Sequence, residues 1–155
     1  MNTNEKHLIF GVHDQLFTVN VSFVNSIIQL PRVFKVPQAP EYILGIINVE
    51  GDVIPVVDTG IKLNMDSIPV HKRSQVIIMQ LQHEGNANYH KLGFLVSNID
   101  DVAEVNPHKL QALPTSNYHF DERLVEGVHK IKGEFCMQVN VQNFYKEEID
   151  LITIN

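Results

Sequence analysis

The chain has a single cysteine, Cys136, and no tryptophan among its 155 residues. One thiol cannot form an internal disulfide, which fits a reducing compartment. Long apolar runs are also missing. The longest span only a few residues, far below the ~20 needed to cross a bilayer. The N-terminal stretch Met1–Lys6 is polar and has no secretory apolar core. The expected place of the protein is therefore the cytoplasm, without membrane insertion. Positive charge is scarce as well. Twelve Lys and Arg face eighteen Asp and Glu, a formal net charge of -6. The only compact basic cluster, His71-Lys72-Arg73, reads as a solvated linker, so no stripe exists to hold a phosphate backbone. Nucleic acid is excluded as an expected partner.

Chemistry-bearing patterns are missing too. The eight histidines are His7, His13, His71, His83, His90, His108, His119 and His129. No two sit at i, i+4 on a credible helix or as His-x-His, and they read as scattered surface residues rather than metal ligands. Cys136, between Phe135 and Met137, reads as buried core rather than a nucleophile. Asp100-Asp101 and Glu147-Glu148 read as solvated turn and helix residues, and Gly51 and Gly133 as hairpin glycines rather than a phosphate cradle. No catalytic residue, cofactor or metal is expected, and the chain does not read as an enzyme.

What is present is a succession of short strands. The hydrophobic fraction is 44% and the charged fraction 19%, an ordinary globular balance. Residues 8–12 and 16–21 flank the polar turn 13–15 and predict a hairpin. A third strand spans 26–30 and ends at Pro31. Residues 38–42 predict one helical turn with Pro40 at its first position. Residues 45–49 and 53–57 predict a hairpin about Glu50-Gly51-Asp52, with Pro55 marking an edge strand or bulge. Asp58 reads as the cap of a helix over 59–65. A polar connection over 66–73 follows, then 75–81, apolar on both faces and so sandwiched. After a loop at 83–88 come strands at 92–96 and 102–105. Asn106-Pro107 starts a short helix, and residues 117–122 read as irregular. A hairpin over 125–131 and 134–139 turns about Lys132-Gly133. Asn140 caps a helix over 140–148, and 151–154 reads as a final short strand.

The chain also repeats itself. Gly45 and Gly127, Val49 and Ile131, Gly51 and Gly133, Asp52 and Glu134, Val57 and Val139, and Asp58 and Asn140 all lie 82 positions apart. Val21, Val24 and Ile27 match Ile99, Val102 and Val105 at 78 positions. Each half thus reads as strand, glycine turn, strand and Asx cap, with about five short strands, enough to curl into a small barrel. The expectation is an all-β domain of two small five-stranded, SH3-like barrels packed together, one over about 7–68 and the other over about 72–155, with a groove between them.

Leu44 to Asp58, with its Gly-x-x-Asn…Gly-x-Val-Ile-Pro-Val-Val-Asp pattern, resembles the signature of CheW-like domains. Val24-Asn25-Ser26-Ile27-Ile28 and Val36-Pro37-Gln38-Ala39-Pro40 resemble the stretches that precede it in that family. Leu92-Gly93-Phe94-Leu95-Val96 and Glu126-Gly127-Val128 resemble those that follow. The resemblance runs in order from about Leu8 to Tyr145. It implies two intertwined barrels and a non-catalytic adaptor for chemotaxis signal transduction in a two-component system. The implied partners are the cytoplasmic tip of a chemoreceptor and the regulatory domain of a CheA-type histidine kinase, in mixed rings with that domain. The implied place is the cytoplasm, at receptor arrays on the inner face of the membrane. Val24, Ser26, Ile27, Ile47, Asn48, Glu50, Gly51, Val96 and Val102 are the partner-binding residues this reading selects. Three positions depart from the family. Ser26 stands where Glu is usual, Glu50 where Arg is usual and Ser97 where Asp is usual. The first two often pair in the family, and a reversed charge on a contact surface shifts partner choice. A small-barrel ligand-binding or sensory module is the other reading, and a closed polar cavity between the barrels would favour it.

Overall fold

The structure, a computed structural model, describes residues 3–82, 89–113 and 121–146. Two hairpins show how local chemistry sets the pattern. In the first, Glu50 and Gly51 have φ of 52° and 89°; in the second, Lys132 and Gly133 have φ of 50° and 81°. Two successive left-handed residues make the turn whose twist matches its flanking strands. These turns join β4 (Ile43–Val49) to β5 (Asp52–Asp58) and β9 (Val125–Ile131) to β10 (Glu134–Val139). The registers match as well. Gly45 faces Val56 and Ile43 faces Val57, while Gly127 faces Gln138 and Val125 faces Val139, so each hairpin bulges at the corresponding residue.

The repeat glycines have a packing reason that the sequence does not display. Phe34 bridges Ile46 and Gln111 bridges Val128 by paired backbone hydrogen bonds of 2.8–2.9 Å. A Cβ on Gly45 would sit 2.5 Å from the Phe34 carbonyl oxygen, and one on Gly127 would sit 2.5 Å from that of Gln111. Only glycine lets the bridging segment approach this closely.

The remaining strands are β1 (Glu5–Val12), β2 (Gln15–Asn20), β3 (Val24–Gln29), β6 (Gln75–Gln82), β7 (Tyr89–Val96) and β8 (Asn98–Val105). They assemble into two five-stranded sheets, β8-β1-β2-β10-β9 (sheet one) and β3-β6-β7-β5-β4 (sheet two). Five strands belong to each half of the chain, and the halves exchange them. Each gives its first two strands to one sheet and its last three to the other. With β1, β2, β3, β4 and β5 taken as counterparts of β6, β7, β8, β9 and β10, the two sheet orders are identical. In both, two contacts join the halves: one antiparallel, β8 with β1 and β3 with β6, and one parallel, β10 with β2 and β5 with β7. The lobes expected at 7–68 and 72–155 therefore do not coincide with the sheets, because each sheet draws on both stretches.

Three further expectations change. Residues 37–38 and 41–42 form turns rather than a helical turn, closed by the Ile43 amide donating to the Pro40 carbonyl at 2.9 Å. The helix after Asp58, α1, spans only Thr59–Lys62. Pro55 lies in an interior strand, not an edge. Its partner Ile46 turns both backbone groups outward to Phe34, so Pro55 occupies a non-hydrogen-bonded position toward β4. On the other side the β7 ladder begins only at Val56. The missing N–H therefore breaks no ladder bond.

Caps close both hairpin units. Asp58 Oδ1 accepts from the Ile61 amide at 3.2 Å, and Asn140 Oδ1 accepts from that of Asn143 at 3.0 Å. Residues 141–146 form α2. Phe144 packs on Phe94 with centroids 4.7 Å apart, and the buried Tyr145 hydroxyl reaches the carbonyls of Met79 and His90 at 2.8 Å each. Through α2 the apolar core runs continuously across both sheets. Asn106 caps a short 3-10 turn, Pro107–Lys109, as expected. The expected loop at 83–88, most of the irregular stretch 117–122, the end of the helix past 146 and the strand at 151–154 lie outside the described residues.

Candidate functional site

The nine selected residues do not form one patch. Val24, Ser26 and Ile27 lie on β3, an edge of sheet two; the first two are half-buried and Ile27 is 39% exposed. Asn48, Glu50 and Gly51 lie exposed at the tip of β4, the opposite edge. Asn48 braces its own turn, its Oδ1 accepting from the Gly51 amide at 3.1 Å. Ile47 and Val96 are buried core and present nothing to a partner. Val102 is 46% exposed, but on β8, an edge of sheet one.

Around Val102 the structure gathers residues that the sequence reading missed. A cleft of about 650 Å³ opens between β8 and β9, lined by Val102, Glu104, Lys130 and Lys132 among others. Glu104 and Lys132 are the counterparts of Ser26 and Glu50, at 78 and 82 positions. The acid and base absent from the family-like positions on sheet two therefore stand at the duplicated positions on sheet one. Lys132 also pairs with Asp101 at 3.6 Å, both largely exposed. The signal was available, since extending each repeat offset by a residue or two reaches both. On sheet two the equivalent turn is acidic, with Asp52 held by Lys91 at 2.8 Å. The apolar side chains after the turns are equivalent as well. Val53 and Phe135 are 65% and 66% exposed.

A second cleft, about 550 Å³ and open to solvent, lies where the sheets meet, between α1 and α2. It is lined by Tyr42, Lys62, Asp121, Arg123 and Lys146 among others. Lys62 Nζ stacks 3.8 Å over the Tyr42 ring, and Arg123 pairs with Asp121 at 2.8 Å, which holds that carboxyl below the usual range. None of the nine selected residues lines it. It is an open groove rather than the closed polar cavity that a ligand module would need.

Groups with chemical potential are held quiet. Burial pushes the Cys136 thiol up to about 11, so it stays protonated. Burial raises the Asp58 carboxyl, whose oxygens are spent on the backbone amides of Ile61 and Ile68. Among the described residues, no three His, Cys, Asp or Glu side chains converge to hold a metal, and no helix is long and apolar enough to cross a membrane. Two histidines expected at the surface, His7 and His129, are instead buried inside sheet one.

The fold and these surfaces define a duplicated, strand-exchanged β scaffold with exposed edges. Residues 6–148 match the CheW-like domain, and the chain belongs to that family. It is 29% identical over 147 residues to "Chemotaxis protein CheW" of Rhizobium meliloti (strain 1021), covering 95% of this chain and 91% of that one. It is 26% identical over 154 residues to "Chemotaxis protein CheW" of Bacillus subtilis (strain 168), covering 99% and 85%. The scaffolding protein TtCheW from Thermoanaerobacter tengcongensis has the same fold, with a TM-score of 0.78 at 23% identity over 91% of this chain and 87% of that one.

Proposed function

We propose that the chain is a non-catalytic chemotaxis adaptor that joins the cytoplasmic tip of a chemoreceptor to the regulatory domain of a CheA-type histidine kinase. The observation that carries this reading is the family match over residues 6–148, which spans both sheets of the exchanged scaffold. The edges support it. Each sheet exposes an edge strand bearing an apolar side chain, Ile27 on one and Val102 on the other, flanked by polar residues, which is the makeup of a modest protein-docking surface. The partner-binding set reduces to Val24, Ser26, Ile27, Asn48, Glu50, Gly51 and Val102, because Ile47 and Val96 are core. The place of action is the cytoplasmic face of receptor arrays.

The Glu50 turn supports partner discrimination, since it is acidic where the family is basic and its counterpart Lys132 is basic. The test is binding of the purified chain, separately, to the cognate kinase regulatory domain and to a receptor-tip fragment. Binding to both at micromolar strength fits the adaptor. Binding to neither by a folded chain removes it. Glu50→Arg is expected to change affinity for one partner by about 5-fold or more, chiefly through the association rate. Unchanged binding to both would remove the discrimination role.

A further inference from the structure

The interior of sheet one contains two hydrogen-bonded groups, meeting at a ring contact, that no partner assignment explains. His7 on β1 is fully buried and His129 on β9 is nearly so, with ring centroids 5.7 Å apart and planes at 79°. His7 Nε2 lies 3.0 Å from Glu5 Oε2, and its Nδ1 lies 3.1 Å from Thr18 Oγ1 on β2. His129 Nε2 lies 2.9 Å from Gln138 Oε1 on β10, and the Gln138 amide donates to Glu126. Four adjacent strands are thus joined through two imidazoles.

We propose that this pair is a proton-operated device: the neutral imidazoles hold β1, β2, β9 and β10 together, and uptake of a proton loosens sheet one and the cleft that His129 lines.

The hydrogen bonds fix the neutral form. A carboxylate only accepts, so His7 Nε2 carries the proton toward Glu5, and Nδ1 accepts from the Thr18 hydroxyl. Gln138 Oε1 likewise only accepts, so His129 Nε2 donates to it. Every polar atom named is then satisfied. A proton added at His7 Nδ1 turns that acceptor into a donor, and the buried Thr18 hydroxyl must reverse and find another acceptor. The ring of His129 lies against that of His7, and its influence opposes a charge on His7.

The surrounding charges are mixed. Glu5 on β1 and Glu126 on β9 favour the cation. Lys109, Lys130 and Lys132, which line the cleft with His129, oppose it, and Glu104 lines the same cleft. Cys136, in register with His129, is neutral. Burial outweighs the favourable terms at His7 and holds its imidazole below the ordinary histidine value. The unfolded chain therefore takes up a proton that the folded chain resists. The stabilisation is complete above the ordinary value and is lost as pH falls below it.

The test uses the whole chain, following imidazole resonances and amide-exchange protection by NMR from about pH 7.5 to about pH 5.5. His7 is expected to stay neutral to lower pH than the exposed histidines. Protection of sheet-one amides such as those of Thr18, Val128 and Gln138 should fall about 3-fold or more, while sheet-two amides such as those of Ile77 and Phe94 hold. His7→Gln, which keeps hydrogen-bonding capacity without a titrating charge, should remove that sheet-one response. The proposal is overturned if His7 titrates with the exposed histidines, if both sheets lose protection together, or if His7→Gln responds to pH as the native chain does.

Discussion

Counterpart positions in the two sheets hold opposite chemistry. The registers place Gln138 opposite Thr18 and Val56 opposite Gly93, then Thr18 opposite Ile9 and Gly93 opposite Ile78. Followed along β1 and β6, these pairings equate His7 with Val76, and the hairpin repeat equates His129 with Ile47. Where sheet one buries His7, Thr18 and His129 beside a half-buried Gln138, sheet two buries Val76, Gly93, Ile47 and Val56. The fit is specific on both sides. A Cβ on Gly93 would lie 2.9 Å from Val76 Cγ1 and 3.2 Å from Val56 Cγ2, so glycine is what lets two valines meet there. In sheet one the threonine instead supplies a hydroxyl to His7. One backbone plan therefore carries two kinds of core. The dry one is held by burial and has no titrating side chain at these four positions; the polar one is held by hydrogen bonds that cost several kcal/mol if left half-made.

The largest expected break comes from moving one chemistry into the other sheet. Ile47→His puts an imidazole where no network waits for it, and should cost about 3 kcal/mol or more in urea unfolding. A loss under about 1 kcal/mol would mean that the dry core tolerates the polar plan. Next come the bridging glycines. Gly45→Ala and Gly127→Ala should each cost about 2 kcal/mol, because each new Cβ meets a backbone oxygen. Very unequal costs would show that the two bridges are equivalent in shape only. Cys136 gives a third test. With its thiol pushed up to about 11, a disulfide reagent near pH 8 should react with the native chain about 100-fold more slowly than with the unfolded chain. The smallest effect belongs to the turns. Glu50→Asn and Lys132→Asn should each stabilise by about 0.5 kcal/mol, since asparagine tolerates left-handed φ better than either native residue.

Local features were legible in the sequence because local chemistry causes them. The hairpin glycines, the Asp58 and Asn140 caps and the sandwiched strand over 75–81 all announce themselves by residue type. Pairing between distant strands leaves no such mark. Nothing near β2 says that β10 will lie beside it, so residue spacing showed the repeat, while the intertwining came only through the family resemblance and the strands exchanged came only from the structure. Pro55 was misplaced for the same reason, because whether its strand is interior depends on β7. At the candidate site, the apolar runs of β4 and β7 could not separate surface from core for Ile47 or Val96, which the packed fold buries. His7 and His129 were hidden by distance. They are more than a hundred positions apart, and only the sheet brings them together.

The exchange has a consequence for how the chain is made. Sheet two is built from a contiguous stretch, β3 to β7, and is complete once Val96 has emerged from the ribosome. Sheet one must wait for β10, so β1 and β2 leave first and close last, after a long loop has been spanned. Until then their hairpin is an unfinished edge during synthesis, open to pairing with a neighbouring nascent chain. A messenger that slows translation after Val96 would lengthen that exposure without changing a single contact in the finished fold.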